Sequence, residues 1–267
     1  MVLWVRAGSF RAIAHYGLVT IRTLHFAGHD GAALTGFELG KGRPVILLHG
    51  FLSSAERNWL APGIAAGLAE AGFRVIAPDC RGHGRSAAPT DLAAWPPDVM
   101  AADVEALIAQ HGLTDYDLAG YSMGGRTAAR VMVRGARPRR CVLGGMGDFG
   151  IMQAGPRAEA FEDAIRHGEA AADPAMGKAI GRMIAAQGLK PEAMLGVLAA
   201  FAPTTREDLA GVATPTLAIL GQDDHDNGSV DELAAIMPAC TPLRLPGDHG
   251  GVVATPAFRE ALIGFLS

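Results

Sequence analysis

The sequence reads Gly120-Tyr121-Ser122-Met123-Gly124 between an apolar segment, 116–119, and a run compatible with a helix, 126–134. A G-x-S-x-G pattern between a strand and a helix is typical of a nucleophile elbow, a tight turn that exposes a serine hydroxyl. Glycines suit this turn because the serine backbone adopts an unfavourable conformation and bulky neighbours would collide across it. The pattern therefore predicts that Ser122 is a nucleophile.

The composition is that of a globular protein. Of 267 residues, 49% are apolar and 19% are charged, and the formal net charge is −4. This slightly acidic chain lacks the basic surface typical of nucleic acid binding. No apolar run reaches the roughly 18 residues of a membrane span. We therefore expect a small-molecule substrate, no nucleic acid partner and no membrane span, while the oligomeric state stays open.

The cysteines and the first residues bear on cofactors and location. Cys80, Cys141 and Cys240 are widely spaced, and no C-x-x-C pair occurs, which predicts neither a disulfide framework nor a zinc site. We expect a cytoplasmic protein without a metal or a cofactor. Residues 1–20 contain two arginines, no acidic residue and only short apolar clusters, unlike a secretory signal. We treat them as an N-terminal extension of uncertain role.

Strands and helices alternate along most of the chain. A turn signal at His29-Asp30-Gly31 predicts an antiparallel hairpin of 21–27 and 34–39. Continuous apolar runs predict strands buried on both faces, and helical patterns that end at glycines separate them. These strands are expected at 45–48, 74–77, 117–119, 141–143, 216–220 and 241–245, and the helices at 59–71, 99–111, 126–134, 230–237 and 256–265.

This alternation implies a mostly parallel sheet with helices on both faces. It stops over about 145–208, where the patterns are helical and rich in alanine and methionine. An insertion at the end of a strand falls on the ligand side of such a sheet. We therefore expect a helical cap within one domain that spans 21–267. A separate helical domain is the alternative, but the borders lack linkers rich in proline, glycine or serine.

A serine nucleophile needs a base to take its proton and an acid to hold that base. Three histidines follow Ser122 in the chain, at positions 167, 225 and 249. His249 lies in a glycine-flanked loop, 246–251, between a predicted strand and the last helix. This position predicts that His249 is the base.

The acid is expected in the loop after strand 216–220, which contains Asp223, Asp224 and Asp226. Asp224, three residues past Gly221, is the preferred candidate. The two neighbouring aspartates stay open as alternatives, and Asp148 is a more distant one. The acidic cluster beside His225 could also suggest a metal, but a metal site usually needs further ligands from other segments.

The developing negative charge on a substrate carbonyl needs hydrogen-bond donors, and backbone amides supply them without reorganising. One donor is expected at Met123, directly after the elbow, and the other at Phe51 in the loop after strand 45–48. His49 in the same loop is interpreted as a structural ring that braces the loop through hydrogen bonds.

Five motifs follow one another along the chain. They read His49-Gly50-Phe51, Asp79-Cys-Arg-Gly-His-Gly-Arg-Ser86, Gly120-Tyr-Ser-Met-Gly-Gly125, Gly221-Gln-Asp-Asp224 and Gly247-Asp-His249. In the α/β-hydrolase superfamily these motifs occur in the same order, and from about residue 21 onward the chain resembles its small serine esterases that carry a helical cap. The resemblance implies an eight-stranded sheet, a triad of Ser122, Asp224 and His249, and an oxyanion hole formed by Phe51 and Met123.

The resemblance also orders the candidate activities. We expect hydrolysis of a carboxylic ester, lactone or thioester of small to medium, fairly apolar character through an acyl-Ser122 intermediate. Epoxide hydrolases and haloalkane dehalogenases resemble this pattern but place an aspartate at the elbow. Carbon–carbon bond hydrolases share the Ser-Met-Gly-Gly sequence but usually have a longer glycine-rich loop than 49–54 here. That activity, perhydrolase or haloperoxidase activity, and a non-catalytic ligand-binding role stay open as alternatives.

Overall fold

The computed structural model describes residues 11–12, 19–153 and 155–267. Most of the N-terminal extension of 1–20 lies outside these residues. Two short antiparallel strands are described within it, β1 (Arg11–Ala12) and β2 (Val19–Thr20).

Eight further strands form one sheet. They are β3 (Arg22–Ala27), β4 (Ala33–Gly40), β5 (Arg43–Leu48), β6 (Phe73–Pro78), β7 (Asp117–Tyr121), β8 (Cys141–Gly144), β9 (Thr216–Gly221) and β10 (Cys240–Leu245). Their order is β10-β9-β8-β7-β5-β6-β4-β3. β3 pairs antiparallel with β4 and β4 pairs antiparallel with β6, whereas the other neighbours are parallel. The predicted eight-stranded, mostly parallel sheet with its hairpin is confirmed.

Helices cover both faces of the sheet. Those in the described residues are α1 (Ile64–Glu70), α2 (Val99–Gln110), α3 (Met123–Val133), α4 (Asp148–Met152), α5 (Gly155–His167), α6 (Pro174–Gln187), α7 (Pro191–Ala199), α8 (Arg206–Ala210), α9 (Val230–Ile236) and α10 (Pro256–Leu266). None of these helices has the length and apolar character needed to cross a bilayer.

The two faces have separate hydrophobic cores, as strand β5 illustrates. Ile46 and Leu48 pack in a core with α2, α3 and α9, whereas Val45 and Leu47 pack in a core with α1 and α10. All four side chains are fully buried. Burial on both faces explains why the strand is a continuous apolar run instead of an alternating pattern.

The predicted helix over 59–71 is wrong in its first half. The chain forms a π-helical turn at Glu56–Leu60, and a regular helix, α1, begins only at Ile64. Between them, Gly63 has a left-handed backbone with φ of 78°. A residue in that conformation cannot continue a right-handed helix, so the Pro62-Gly63 pair divides the segment.

The segment between β8 and β9 contains helices α4 to α8. Apolar residues from α5, α6 and α7 share a third core with residues of the loops at the ends of the strands. Met123 and Leu52, which follow Ser122 and Phe51 in the sequence, belong to that core. These helices therefore lie against the edge where the predicted site residues occur. The cap limits of 145–208 stay a prediction.

Candidate active site

Ser122 occupies the turn between β7 and α3. Its backbone has φ of 53° and ψ of −116°, a conformation that residues other than glycine rarely adopt. A Cβ atom at Gly120 would lie 2.0 Å from the carbonyl oxygen of Gly124, and one at Gly124 would lie 2.0 Å from that of Leu48. The two glycines therefore allow the helix to begin directly against the strand ends.

The structure brings Ser122, His249 and Asp224 together from three distant segments. His249 Nε2 lies 2.9 Å from Ser122 Oγ, and His249 Nδ1 lies 2.6 Å from Asp224 Oδ2. Asp224 follows β9 and His249 follows β10, so parallel strands deliver both side chains to one edge of the sheet. Only 1% of the Asp224 side chain is exposed, against 21% of the His249 side chain.

The alternative acids make other contacts. Asp226 has a side chain that is 76% exposed and lies 3.1 Å from the guanidinium of Arg157. Asp223 is exposed. Asp148 accepts a hydrogen bond from the Ser229 amide at 2.8 Å. The carboxylate that contacts His249 is that of Asp224.

Hydrogen bonds favour the ionised form of the Asp224 carboxyl group. Burial raises the pKa of Asp224, but hydrogen bonds from His249 and Asn227 outweigh it and hold the pKa below its ordinary value. An ionised Asp224 accepts a hydrogen bond from the N–H of His249 Nδ1. This fixes the tautomer in which Nε2 is free to accept a proton from Ser122.

Two residues near the triad were not singled out from the sequence. Asn227 is 2% exposed, and its Nδ2 donates to Asp224 Oδ1 at 2.8 Å. The hydroxyl of Tyr121 donates to the backbone carbonyl of His249, and burial raises the pKa of this phenol, which keeps its proton. Tyr121 lies within the elbow motif itself, whereas Asn227 is an ordinary loop residue in sequence.

The loop that contains Phe51 is held by buried histidines. His49 Nδ1 donates to the Gly50 carbonyl at 2.8 Å, and His49 Nε2 accepts from the Cys80 amide at 2.9 Å. His83 Nε2 accepts from the Leu52 amide at 3.2 Å, and burial lowers the pKa of His83 to about 3. Both rings are therefore neutral supports, as the sequence predicted for His49.

In the loop that contains Phe51, one backbone amide is left without an acceptor among the described residues. The Gly50 amide donates to Asn58 Oδ1 at 2.8 Å and the Leu52 amide donates to His83. For the Phe51 amide between them, the described residues provide no acceptor. Phe51 and Met123 line the same cavity as Ser122. The two predicted oxyanion donors and the predicted nucleophile thus belong to one site.

The cavity beside Ser122 is mostly apolar and partly open to solvent. Its empty volume, which includes space open to solvent, is about 520 Å³. Helices α4, α5 and α7 supply Phe149, Phe161 and Leu198 to its wall. Its charged lining residues are Arg126, Arg157 and Asp226.

One cluster in the described residues has spacing compatible with a metal ion, namely His29, Asp30 and Asp103. Both carboxylates are already bound by the guanidinium of Arg81, at distances of 2.7–2.9 Å. A buried cation therefore already offsets part of their negative charge. The cluster joins the β3–β4 turn to α2 and is separate from the triad.

Comparisons with known proteins agree with this architecture. A family model described as the α/β hydrolase fold matches residues 43–141. The crystal structure of a bromoperoxidase from Bacillus anthracis is 27% identical, covers 92% of this chain and 99% of its own, and has a TM-score of 0.67. An esterase from Exiguobacterium antarcticum is 20% identical, covers 91% of this chain and 98% of its own, and has a TM-score of 0.73.

Similarity to curated sequences is confined to part of each chain. A non-heme haloperoxidase of Rhodococcus erythropolis is 38% identical over 108 residues, which are 39% of this chain and 36% of the relative. The chain thus matches about a third of that relative's length. The sheet, the elbow and the family match define an α/β hydrolase fold. The chain belongs to the α/β-hydrolase superfamily, and the resemblance drawn from its five motifs is confirmed.

Proposed function

We propose that the protein is a serine hydrolase that cleaves a carboxylic ester, or a lactone or thioester, through an acyl-Ser122 intermediate. The observation that carries this proposal is the continuous chain of contacts from Ser122 Oγ to His249 Nε2 at 2.9 Å and from His249 Nδ1 to Asp224 at 2.6 Å. A base within hydrogen-bond reach of a hydroxyl, itself oriented by a carboxylate, is the arrangement that activates a serine.

Acylation would begin when His249 Nε2 takes the hydroxyl proton and Ser122 Oγ attacks the substrate carbonyl. The tetrahedral oxyanion would accept hydrogen bonds from the amides of Phe51 and Met123. Met123 is the first residue of α3, where the helix dipole also favours negative charge. As the intermediate collapses, the alcohol leaves with the proton held by His249.

Deacylation would repeat these steps with water. His249 takes a proton from water, the hydroxide attacks the acyl carbonyl, and Ser122 Oγ leaves with the proton that His249 returns. Asp224 stays ionised throughout and stabilises the charged ring. The apolar cavity wall would hold the small to medium acyl or alcohol portion of the substrate.

A second candidate activity has support from the comparisons. The bromoperoxidase structure and the haloperoxidase sequence are both similar to this chain. On the same triad, hydrogen peroxide in place of water would release a peracid from the acyl enzyme. Peracid formation from acetate esters and hydrogen peroxide, faster than ester hydrolysis, would favour this activity.

The main test is chemical. A fluorophosphonate probe should label the wild-type protein and not Ser122→Ala, and this substitution should abolish turnover of p-nitrophenyl acetate. Ser267→Ala, at the far end of the chain, should keep both labelling and turnover. Turnover retained by Ser122→Ala would contradict the acyl-Ser122 mechanism. Ligand binding without turnover across esters and lactones would favour a non-catalytic role.

A further inference from the structure

Arg126 is the most buried of the charged residues that line the cavity beside Ser122. It lies on α3 one helical turn after the nucleophile, and its backbone amide donates to the Ser122 carbonyl at 3.0 Å. The residue is only 8% exposed. Arg126 therefore places a cation in the wall of the site and not on the protein surface.

Backbone carbonyl groups, and not a carboxylate, contact the guanidinium of Arg126. Nε donates to the Gly150 carbonyl at 2.9 Å, and Nη2 donates to the carbonyls of Gly150 and Gln153. The ring of Phe201 lies 4.8 Å from Cζ. Across the described chain, no carboxylate comes within ion-pair distance of Arg126, and Nη1 finds no acceptor. Burial lowers the pKa of Arg126 to about 10, so the side chain is still a cation at neutral pH.

Arg81 provides a comparison within the same molecule. Its side chain is also hidden from solvent, at 1% exposed, and its guanidinium lies 2.7–2.9 Å from the carboxylates of Asp30 and Asp103. These carboxylates raise the pKa of Arg81 despite the opposing effect of burial. A buried cation is ordinarily paired in this way, because an unpaired charge is costly to remove from water. Arg126 lacks such a pair, and it lines a cavity that a ligand can enter.

The other cavity arginine is already balanced. The Arg157 side chain is 33% exposed and lies 3.1 Å from the carboxylate of Asp226. Water and this carboxylate both stabilise its charge. Of the two arginines that line the cavity, Arg126 is therefore the one without a carboxylate partner among the described residues.

We propose that the substrate of this site carries a carboxylate, bound by the Nη1 edge of Arg126 while its ester carbonyl lies at Ser122. This inference rests on the proposed function and narrows its substrate class to esters with one acidic group. The two hydrogens of Nη1 find no acceptor among the described residues and can donate charge-assisted hydrogen bonds to a carboxylate. A single carboxylate balances the single unpaired cation, whereas a phosphate monoester would bring excess negative charge into an apolar cavity. Phe149 and Leu198 suit the apolar linker between the two groups.

The test compares substrates that differ in charge and by one methyl group. Mono-4-nitrophenyl glutarate and adipate carry the carboxylate, and the corresponding methyl 4-nitrophenyl diesters do not. For the better chain length, kcat/KM of the wild-type protein should be about tenfold or more higher for the acid than for its diester. Arg126→Gln should reduce this ratio about tenfold or more, and Arg126→Lys should keep part of it because the charge remains.

Two further arginines are matched controls. Arg130 lies one turn later on α3 and is paired with Asp98 at 2.5 Å, so Arg130→Gln should leave the ratio unchanged. If Arg126→Gln lost activity equally toward the acid and the diester, Arg126 would serve only to hold the backbone of Gly150 and Gln153 in place. That result would overturn the proposal. Loss of the ratio in Arg157→Gln but not in Arg126→Gln, or no preference in the wild type, would also overturn it.

A binding measurement separates this inference from the proposed function. If the wild-type protein hydrolyses neither ester, the hydrolase mechanism fails, but the anion site can still be examined by calorimetry with monomethyl glutarate. The wild type should bind this carboxylate about tenfold or more tightly than Arg126→Gln does. Equal affinities, or no binding to the wild type at millimolar concentrations, would exclude the anion site whatever the catalytic result.

Discussion

Asn227 donates a hydrogen bond to Oδ1 of Asp224 at 2.8 Å, while His249 contacts Oδ2 of the same carboxylate at 2.6 Å. Both oxygens of the acid are therefore engaged, and the carboxylate cannot rotate without losing one of the bonds. These bonds also hold the pKa of Asp224 below its ordinary value against the effect of burial. Asn227 thus supports both the orientation and the charge of the acid.

Removal of this support should weaken catalysis without abolishing it. Asn227→Ala should lower kcat/KM about tenfold, or ~1.4 kcal/mol, because Asp224 loses a charge-assisted hydrogen bond and orients His249 less well. Asp223→Asn, in the same loop but exposed, is the control and should retain wild-type activity. Steady-state kinetics on p-nitrophenyl acetate measure both. Equal activities in the two variants would show that Asn227 has no positioning role.

The contacts among Ser122, Asp224 and His249 could be predicted from sequence because the three residues occupy positions that the fold itself defines. Ser122 lies between two close backbone contacts that only glycine permits, and Asp224 and His249 follow predicted strands in loops next to glycines. Parallel strands bring such loops to one edge. The offset of three residues from Gly221 favoured Asp224, whose carboxylate contacts His249 in the structure, over the two acidic neighbours that stayed open.

Asn227 and Arg126 could not be found in this way because their roles depend on tertiary packing. Nothing in the sequence indicates that the loop after β9 turns Asn227 back onto Asp224. Arg126 reads as an ordinary helix residue, since a pattern of polar and apolar residues does not reveal that α4 and Phe201 cover it. The break at Gly63 was missed for a different reason: apolar spacing on both sides of Pro62-Gly63 suggested a single helix.

The close approach at the elbow gives a prediction about stability. Gly124→Ala should lower the free energy of unfolding by about 3 kcal/mol or more, because its Cβ would lie 2.0 Å from the Leu48 carbonyl oxygen. Neither backbone can move without separating α3 from β5. Gly181→Ala is a matched control on α6, where a Cβ meets no atom within 4 Å. That variant should gain about 0.5–1 kcal/mol from helix propensity. Urea unfolding compares the two, and similar stabilities would contradict the steric explanation.

The buried ring of His83 gives a prediction about pH. In the folded protein, burial lowers the pKa of His83 to about 3, whereas an unfolded histidine titrates near 6.5. As the pH falls below about 6.5, the unfolded chain binds a proton that the folded protein does not. The free energy of unfolding should therefore fall by up to about 1.4 kcal/mol per pH unit from this group, down to its folded pKa. Above pH 6.5, this contribution to stability is fully present.

Replacement of the ring should remove that dependence. Gln in His83→Gln keeps an acceptor for the Leu52 amide but does not titrate, so its stability should fall less steeply between pH 6.5 and 4.5 than that of the wild type. Urea unfolding at several pH values gives both curves. Above pH 7.5 the two curves should run parallel, which serves as an internal control. Parallel curves at acid pH as well would show that His83 takes up its proton equally in both states.

Gln187, the last residue of α6, contacts the loop that contains Phe51. Its Nε2 donates to the Leu52 carbonyl at 2.6 Å, while the Leu52 amide donates to His83 on the other side. Leu52 has φ of 53°, an unfavourable conformation for this residue. The two hydrogen bonds therefore stabilise a strained peptide directly after Phe51, whose amide is the proposed oxyanion donor.

Loss of the Gln187 contact should affect the transition state more than substrate binding. Gln187→Ala should lower kcat about tenfold and change KM by less than about threefold, because the oxyanion forms only as the carbonyl becomes tetrahedral. Arg182→Ala, at an exposed position on the same helix, controls for general loosening of α6 and should keep wild-type kinetics. A rise in KM with unchanged kcat would instead mean that Gln187 shapes the cavity, since weaker ground-state binding does not alter the amide that faces the oxyanion.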